Sequence, residues 1–202
     1  MSGNEIEAKF YVHDLGKIEL RLRELKAQLI QPRIHETNLR FDNASNDLRN
    51  TFRVLRLRHD EKARLTYKGP GEEQGKGILS RREIEFIVED FERAREFLEA
   101  LGYRIVAFYE KFRATYKLND THVMLDELPY GQFIEIEGEN QAAIYAVSDL
   151  LGLNQDVMVK ASYLALFERV AQKHNLEPSQ LSFAALANVN VTTEDLEVQT
   201  AD

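Results

Sequence analysis

The stretch EIEAKF, residues 5–10, decides how this chain is read. As a β-strand it points Glu5, Glu7 and Lys9 one way and Ile6, Ala8 and Phe10 the other. Its charged face looks either at bulk water, as in an ordinary half-buried strand, or at something it binds. The rest of the sequence separates these two readings. Arg56 and Arg58 alternate with Leu55 and Leu57, Glu83 and Glu85 with Ile84 and Phe86, and Glu135 and Glu137 with Ile134 and Ile136. Lys111 and Arg113 also sit two apart, and Lys68 ends a further alternating run. A solvent face mixes Thr, Ser, Gln and charges of both signs. Here acidic pairs and basic pairs segregate by strand, each at spacing two.

Such a pattern suits a sheet with one face toward a hydrated, charged interior and the other covered by amphipathic helices. A closed barrel lets every strand place alternate residues in its lumen. Acidic pairs suit a hard divalent cation, Mg²⁺ or Mn²⁺. Arg and Lys pairs suit phosphate, since the Arg fork matches two oxygens and Lys supplies a point charge. So many confined charges are tolerable only if ions and a polyanion compensate them. The lumen therefore names a polyphosphate carrying a metal.

Composition narrows the classes. The 202 residues are 44% hydrophobic, enough for a sizeable core. With no cysteine, disulfides, zinc thiolates and cysteine nucleophiles are excluded, and a reducing cytoplasm is the expected compartment. No apolar run approaches the roughly 20 residues of a membrane span, and no signal peptide or membrane association is expected. A net charge of −8 argues against a nucleic-acid partner but not against a local basic cavity.

Along the chain, the spacing predicts a first strand to about Val12, then a helix capped by Asp14 with Leu15, Ile18, Leu22, Leu25 and Leu29 on one face, ended by Pro32. An extended stretch follows over 33–42, and residues 52–71 read as a hairpin turning at His59–Lys62. The segment GPGEEQGKG, 69–77, is expected to be a lid at the tunnel mouth. A second helix starts at Asp90 with Phe91, Ala94, Phe97, Leu98 and Leu101 on one face. Three strands over 104–117, 122–128 and 132–138 and two helices near 140–152 and 160–173 complete the plan. The order of strand, helix, then strands occurs twice. Residues 1–175 are expected to form the tunnel domain, and 176–202 a helical segment with a frayed acidic tail. The fold class is α+β, a closed eight-stranded antiparallel β barrel with flanking helices. The histidines are scattered over unlike elements and predict no metal cluster. Tyr109, Tyr116 and Tyr163 read as packing aromatics, with Tyr163 the best exception.

The same residues carry a family resemblance. The strand Glu5-Ile6-Glu7-Ala8-Lys9 resembles the E-x-E-x-K hallmark of the CYTH superfamily, the triphosphate tunnel metalloenzymes. The match runs over about residues 4–168 and takes in LRLR at 55–58, LTYKGPG at 65–71, RREIE at 81–85, EKFRATY at 110–116, LDELPYGQFIEIEG at 125–138 and KASYLALF at 160–167. The resemblance is greatest to class IV adenylyl cyclase-like and thiamine triphosphatase-like members. It implies an eight-stranded tunnel, a small-molecule triphosphate (ATP, tripolyphosphate or thiamine triphosphate) and Mg²⁺ or Mn²⁺. Position by position, it implies metal-side roles for Glu5, Glu7, Glu83, Asp126, Glu135 and Glu137. It implies triphosphate contacts for Lys9, Arg56, Arg58, Lys68, Arg113 and Lys160, and catalytic roles for Glu85 and Lys111. A homodimer is compatible with it. The second strand departs from the family pattern D-x-Y-x-D, reading Asn38-Leu39-Arg40-Phe41-Asp42. An acid is lost there and a base gained. The activities implied are hydrolysis of a triphosphate or cyclisation of ATP to cyclic AMP and pyrophosphate, and the non-enzymatic alternative is a polyphosphate- or nucleotide-binding module.

Overall fold

The structure is a computed structural model and describes residues 2–75 and 77–202. In chain order the elements are β1 (Ser2–Val12), α1 (Leu15–Glu24), β2 (Gln28–Asp42), α2 (Asp47–Asn50), β3 (Val54–His59), β4 (Ala63–Lys68), β5 (Glu72–Glu73), β6 (Leu79–Val88), α3 (Phe91–Ala100), β7 (Arg104–Leu118), β8 (Thr121–Leu128), β9 (Gly131–Glu137), α4 (Gln141–Leu150), α5 (Tyr163–His174), β10 (Gln180–Leu181), α6 (Phe183–Leu186) and α7 (Thr193–Leu196). Eight strands close on themselves in the order β1-β9-β8-β7-β2-β3-β4-β6, with β6 returning to β1. Every pair in the ring is antiparallel. The repeated strand–helix–strand order has a spatial meaning: β1-α1-β2 and β6-α3-β7 face each other, β1 pairing with β6 and β2 with β7.

Closure sorts the side chains by parity. On β1, Ala8 and Phe10 point outward into a core with Leu15, Ile18 and Leu22 of α1 and Ile144 and Val147 of α4. Those helical residues recur at three- and four-residue spacing, the apolar stripe of a surface helix. A second core gathers Tyr130, Phe133, Leu166, Phe167 and Val170 where α5 lies across one flank of the barrel. Beneath α3 a smaller one holds Phe41, Leu57 and Leu98. Gly131, at φ 154°, lets β9 start against Tyr11, where a Cβ would stand 2.7 Å from a ring carbon.

Three expectations are corrected. The first helix stops at Glu24, because Lys26 turns left-handed at φ 59°. Leu29 and Pro32 therefore lie on β2, and register shifts at Leu29/Gln31 and Gln31/Ile34 accommodate the proline. On α3, Phe97 and Leu101 remain exposed, since the helix seats only the Phe91, Ala94 and Leu98 side of its stripe. The acidic tail is docked rather than frayed: Thr192 and Asp195 form a capping box, Leu196 is buried, Ala201 N–H donates to Tyr11 O at 2.9 Å, and the Asp202 side chain accepts from the amides of His13 and Asp14. Of the expected lid, Lys76 lies outside the described residues, and Glu72–Glu73 pairs with β6 as β5.

Phe10 is fully buried between β1 and the α1/α4 layer. Phe10→Ala should lower the unfolding free energy by about 3–5 kcal/mol, the usual range for such a truncation. Urea denaturation checks this; a loss below about 1 kcal/mol would mean that the helices do not seal that face.

Candidate functional site

The inward parity of the barrel lines one cavity of about 1650 Å³. Glu5, Glu7 and Lys9 of β1 all reach it, as do Arg56 and Arg58, Lys68, Arg81, Glu83 and Glu85, Lys111 and Arg113, and Glu135 and Glu137. The EIEAKF face therefore looks into the lumen and not at bulk water.

The basic side of this lumen is built around β3, β4 and β7. Arg58 meets Glu85 at 3.0 Å and Glu36 at 3.7 Å, and Arg56 approaches the Tyr109 hydroxyl and Glu85 at 3.5 Å. Lys111 lies 3.0 Å from Asp126 and 3.8 Å from Glu36. Arg113 forks onto both oxygens of Asp126, at 2.6 and 2.5 Å, and also bonds Glu135. Tyr163, at the start of α5, donates its hydroxyl to Asp126 at 2.7 Å and places its ring 4.4 Å beneath the Lys9 ammonium. Burial alone would raise Glu36, but the Lys111 and Arg113 charges outweigh it and hold the carboxyl far below its ordinary value. Burial would likewise raise Tyr109, and the charges of Arg56, Lys111 and Arg40 together lower the phenol. The region is strongly positive. The Nε atoms of Arg40, Arg56 and Arg58 are buried without a hydrogen-bond acceptor.

The acidic side lies on β1, β6 and β9. Lys68 bonds Glu5 at 2.7 Å and Glu83 at 3.0 Å, and Arg81 spans Glu5 at 3.1 Å and Glu7 at 2.9 Å. Glu137 is opposite Glu7 in the β1–β9 register. Burial, then the charges of Glu5, Glu83 and Glu7, push its carboxyl up to about 7. Carboxylate charge therefore exceeds the local supply from Lys68 and Arg81. Hard oxygen donors with uncompensated negative charge fit a divalent cation. Among the described residues no three His, Asp or Glu side chains already surround one point. Lys68 and Arg81 bridge the carboxylates such an ion would share.

Comparison with known proteins assigns this tunnel. The CYTH domain model matches residues 3–148. The chain belongs to the CYTH family. A Methanocaldococcus jannaschii relative named "Putative adenylate cyclase" is 30% identical over 173 residues, covering 80% of this chain and 97% of that one. A Pyrococcus horikoshii protein has a TM-score of 0.67 at 27% identity, covering 82% of this chain and 99% of that one. A Hippeastrum protein, described as a "Putative adenylyl cyclase" with a dominant triphosphatase activity, has a TM-score of 0.62 at 21% identity, covering 81% and 95%.

Within this CYTH tunnel the expected residues do not all fall where sequence placed them. Lys160 stands outside the lumen, 65% exposed and paired with Glu73 at 2.5 Å, because it precedes the α5 N-cap Ser162 on the outer surface. Asp126 is fully buried and absent from the cavity lining, and Lys111, Arg113 and Tyr163 use its oxygens. It ties Lys111, Arg113 and Tyr163 of the basic wall together. Glu135, expected beside Glu137, is drawn between Lys9 at 3.3 Å and Arg113. Glu85 and Lys111 sit on the arginine side, each inside an ion-pair network. Sequence reasoning missed Glu36, Arg81 and Tyr109. Arg81 was legible at spacing two before Glu83 and Glu85. Glu36 and Tyr109 were not, since only the pairing of Glu36 with Lys111 and Asn38 with Tyr109 brings them beside the cations.

Two consequences can be measured. Asp126→Asn keeps the shape but leaves Lys111 and Arg113 undercompensated, so unfolding free energy should fall by about 3–5 kcal/mol without any divalent cation. A loss under about 1 kcal/mol, with divalent-ion binding abolished, would return Asp126 to the metal side. Glu137 binds its proton more tightly folded than unfolded. Its stabilising contribution is complete below pH 4.5, the ordinary value, and is lost as pH rises to about 7. Glu137→Gln should therefore raise Tm in chelator more at pH 8 than at pH 5; an equal shift at both would remove the acidic-cluster account.

Proposed function

We propose that the chain is a divalent-metal-dependent enzyme that binds a triphosphate within the tunnel and hydrolyses it. The observation that carries this reading is the division of one lumen into an arginine- and lysine-rich wall with orphaned buried guanidinium nitrogens and a carboxylate wall with excess negative charge. Lys9, Arg56, Arg58, Lys111 and Arg113 would hold and neutralise phosphate oxygens, and the rigid barrel would fix the chain in line with its attacker. Glu5, Glu7, Glu83 and Glu137 would hold the ion, Mg²⁺ or Mn²⁺. Once bound, that ion supplies charge neutralisation and a lowered pKa for a coordinated water. Glu85, bonded by Arg58 and Thr66, would orient the attacking water rather than take part covalently. CYTH proteins are generally metal-dependent, which supports the ion.

A second reading, cyclisation of ATP, is favoured by the name of the M. jannaschii relative. It asks more of the site, a held ribose whose 3′-hydroxyl meets the α-phosphate in line. Hydrolysis needs only water, and the activity described for the Hippeastrum protein is in keeping with it.

Incubation with tripolyphosphate, thiamine triphosphate and ATP plus Mg²⁺ or Mn²⁺ should release orthophosphate. Cyclic AMP and pyrophosphate as main products would reverse the order, and tight binding without turnover would leave a binding module. Arg56→Ala should weaken tripolyphosphate binding about ten- to hundredfold, as expected for the loss of a charge-assisted hydrogen bond. Unchanged affinity would remove Arg56 from the phosphate wall.

A further inference from the structure

The tunnel cations are almost all neutralised by carboxylates, and Arg40 is not. It lines the cavity, yet its side chain makes no hydrogen bond or ion pair among the described residues, and its Nε is sealed from solvent. Its nearest acid in sequence, Asp42, is already consumed: Oδ1 accepts from the amides of Asn43 at 2.8 Å and Leu48 at 3.0 Å, and Oδ2 from Arg49 at 2.9 Å. Across the sheet Arg40 faces Arg56 on one side and Ala107 on the other. One neighbour repels it and the other is too small to fill the space beside it. Burial depresses its basicity, and the charges of Arg56 and Arg81 add to this against the opposing pull of Tyr109 and Asp42. A guanidinium with its Nε sealed beside like charges, without an acceptor, is costly unless an anion arrives.

Position gives the anion its place. Along β2 the inward residues run from Glu36, which faces Arg58 and Lys111, through Asn38 to Arg40 and Asp42, where the chain turns into residues 43–53 at the rim. Arg40 thus stands at the edge of the arginine wall, directly across from Arg56 and one step along β2 from the Asn38–Arg58 pair. Arg53, beyond it on the rim, also lines the cavity and forms no ion pair among the described residues; the one hydrogen bond of its side chain is to the Thr51 hydroxyl. The cavity, at about 1650 Å³, exceeds the roughly 300–1,000 Å³ of ordinary ligand sites. There is room outward of three phosphoryl groups.

We propose that Arg40 forms an additional anion subsite, extended by Arg53 at the rim, which takes a fourth phosphoryl group and makes the tunnel selective for linear inorganic polyphosphates longer than three units. This rests on the triphosphate reading of the same lumen. Arg40 offers a forked donor set that matches phosphate oxygens. A neutral sugar or base placed there would leave the guanidinium uncompensated.

The test is calorimetric titration of the full chain, in chelator, with linear tetrapolyphosphate, tripolyphosphate and ATP. Wild type should bind tetrapolyphosphate at least about tenfold more tightly than tripolyphosphate, the order expected for one added charge-assisted contact. Arg40→Gln should erase most of that preference while moving the tripolyphosphate Kd less than about threefold, and Arg40→Lys should keep part of it. Thermal melts of both variants confirm folding, and the wild-type comparison stands even if a variant unfolds. Equal wild-type affinity for the two chains, an equal loss for both in Arg40→Gln, or a wild-type preference for ATP would each overturn the subsite. If wild type binds none of the three ligands either in chelator or with Ca²⁺ added, the triphosphate reading itself falls with it; normal tripolyphosphate binding without a chain-length preference removes the subsite alone.

Discussion

Everything in this molecule depends on β1 pairing along both of its edges, with β6 through Ser2–Glu7 and with β9 through Glu7–Val12. That double pairing closes the sheet. An open sheet could leave its charged face to bulk water; a closed one has no second outside, so alternate residues of eight strands must share a lumen. Closure also removes exposed strand edges from the ring. Glu7 is the hinge of the arrangement, since it is the β1 residue in register with both neighbours, opposite Leu79 on β6 and Glu137 on β9.

The lumen is stable because its charges arrive in mutually compensating sets. Asp126 shows the logic most plainly: Arg113, Lys111 and Tyr163 converge on one carboxylate with no exposure at all. Desolvation of such a group is expensive, and removing a single partner strands the others. Elsewhere compensation is incomplete in two opposite directions. Glu137 feels too much negative charge, and Arg40 has no acceptor. Imperfect compensation inside a tightly bonded barrel is the expected mark of places where a ligand supplies the missing charge.

The outer layers serve this lumen. α1 and α4 cover the apolar side of β1, and α5 both seals one flank and delivers Tyr163 onto Asp126. The C-terminal segment adds to the wall: Gln180–Leu181 runs parallel to β7, and the Phe183 amide donates to Glu110. Pro178 and Ser179 there reach the cavity lining.

The sequence by itself determined the period of each strand, the sign of charge each carries inward, and hence the barrel and its class of ligand. Spacing two is a local property of the extended backbone, so Glu5, Glu7, Arg56, Arg58, Glu83 and Glu137 were readable one strand at a time. Tertiary structure alone decided which charges meet. Asp126 reads like any acid in LDELPYG until β7 lays Arg113 opposite it, and Lys160 reads like a tunnel lysine until α5 starts after it on the outside. Glu36 becomes a counter-ion only through its pairing with Lys111. Arg40 becomes an unpaired cation only because the turn after β2 takes Asp42 for its own amides. Coulomb energy depends on distances between strands far apart in sequence, and the register that sets those distances is fixed by closure of the whole barrel.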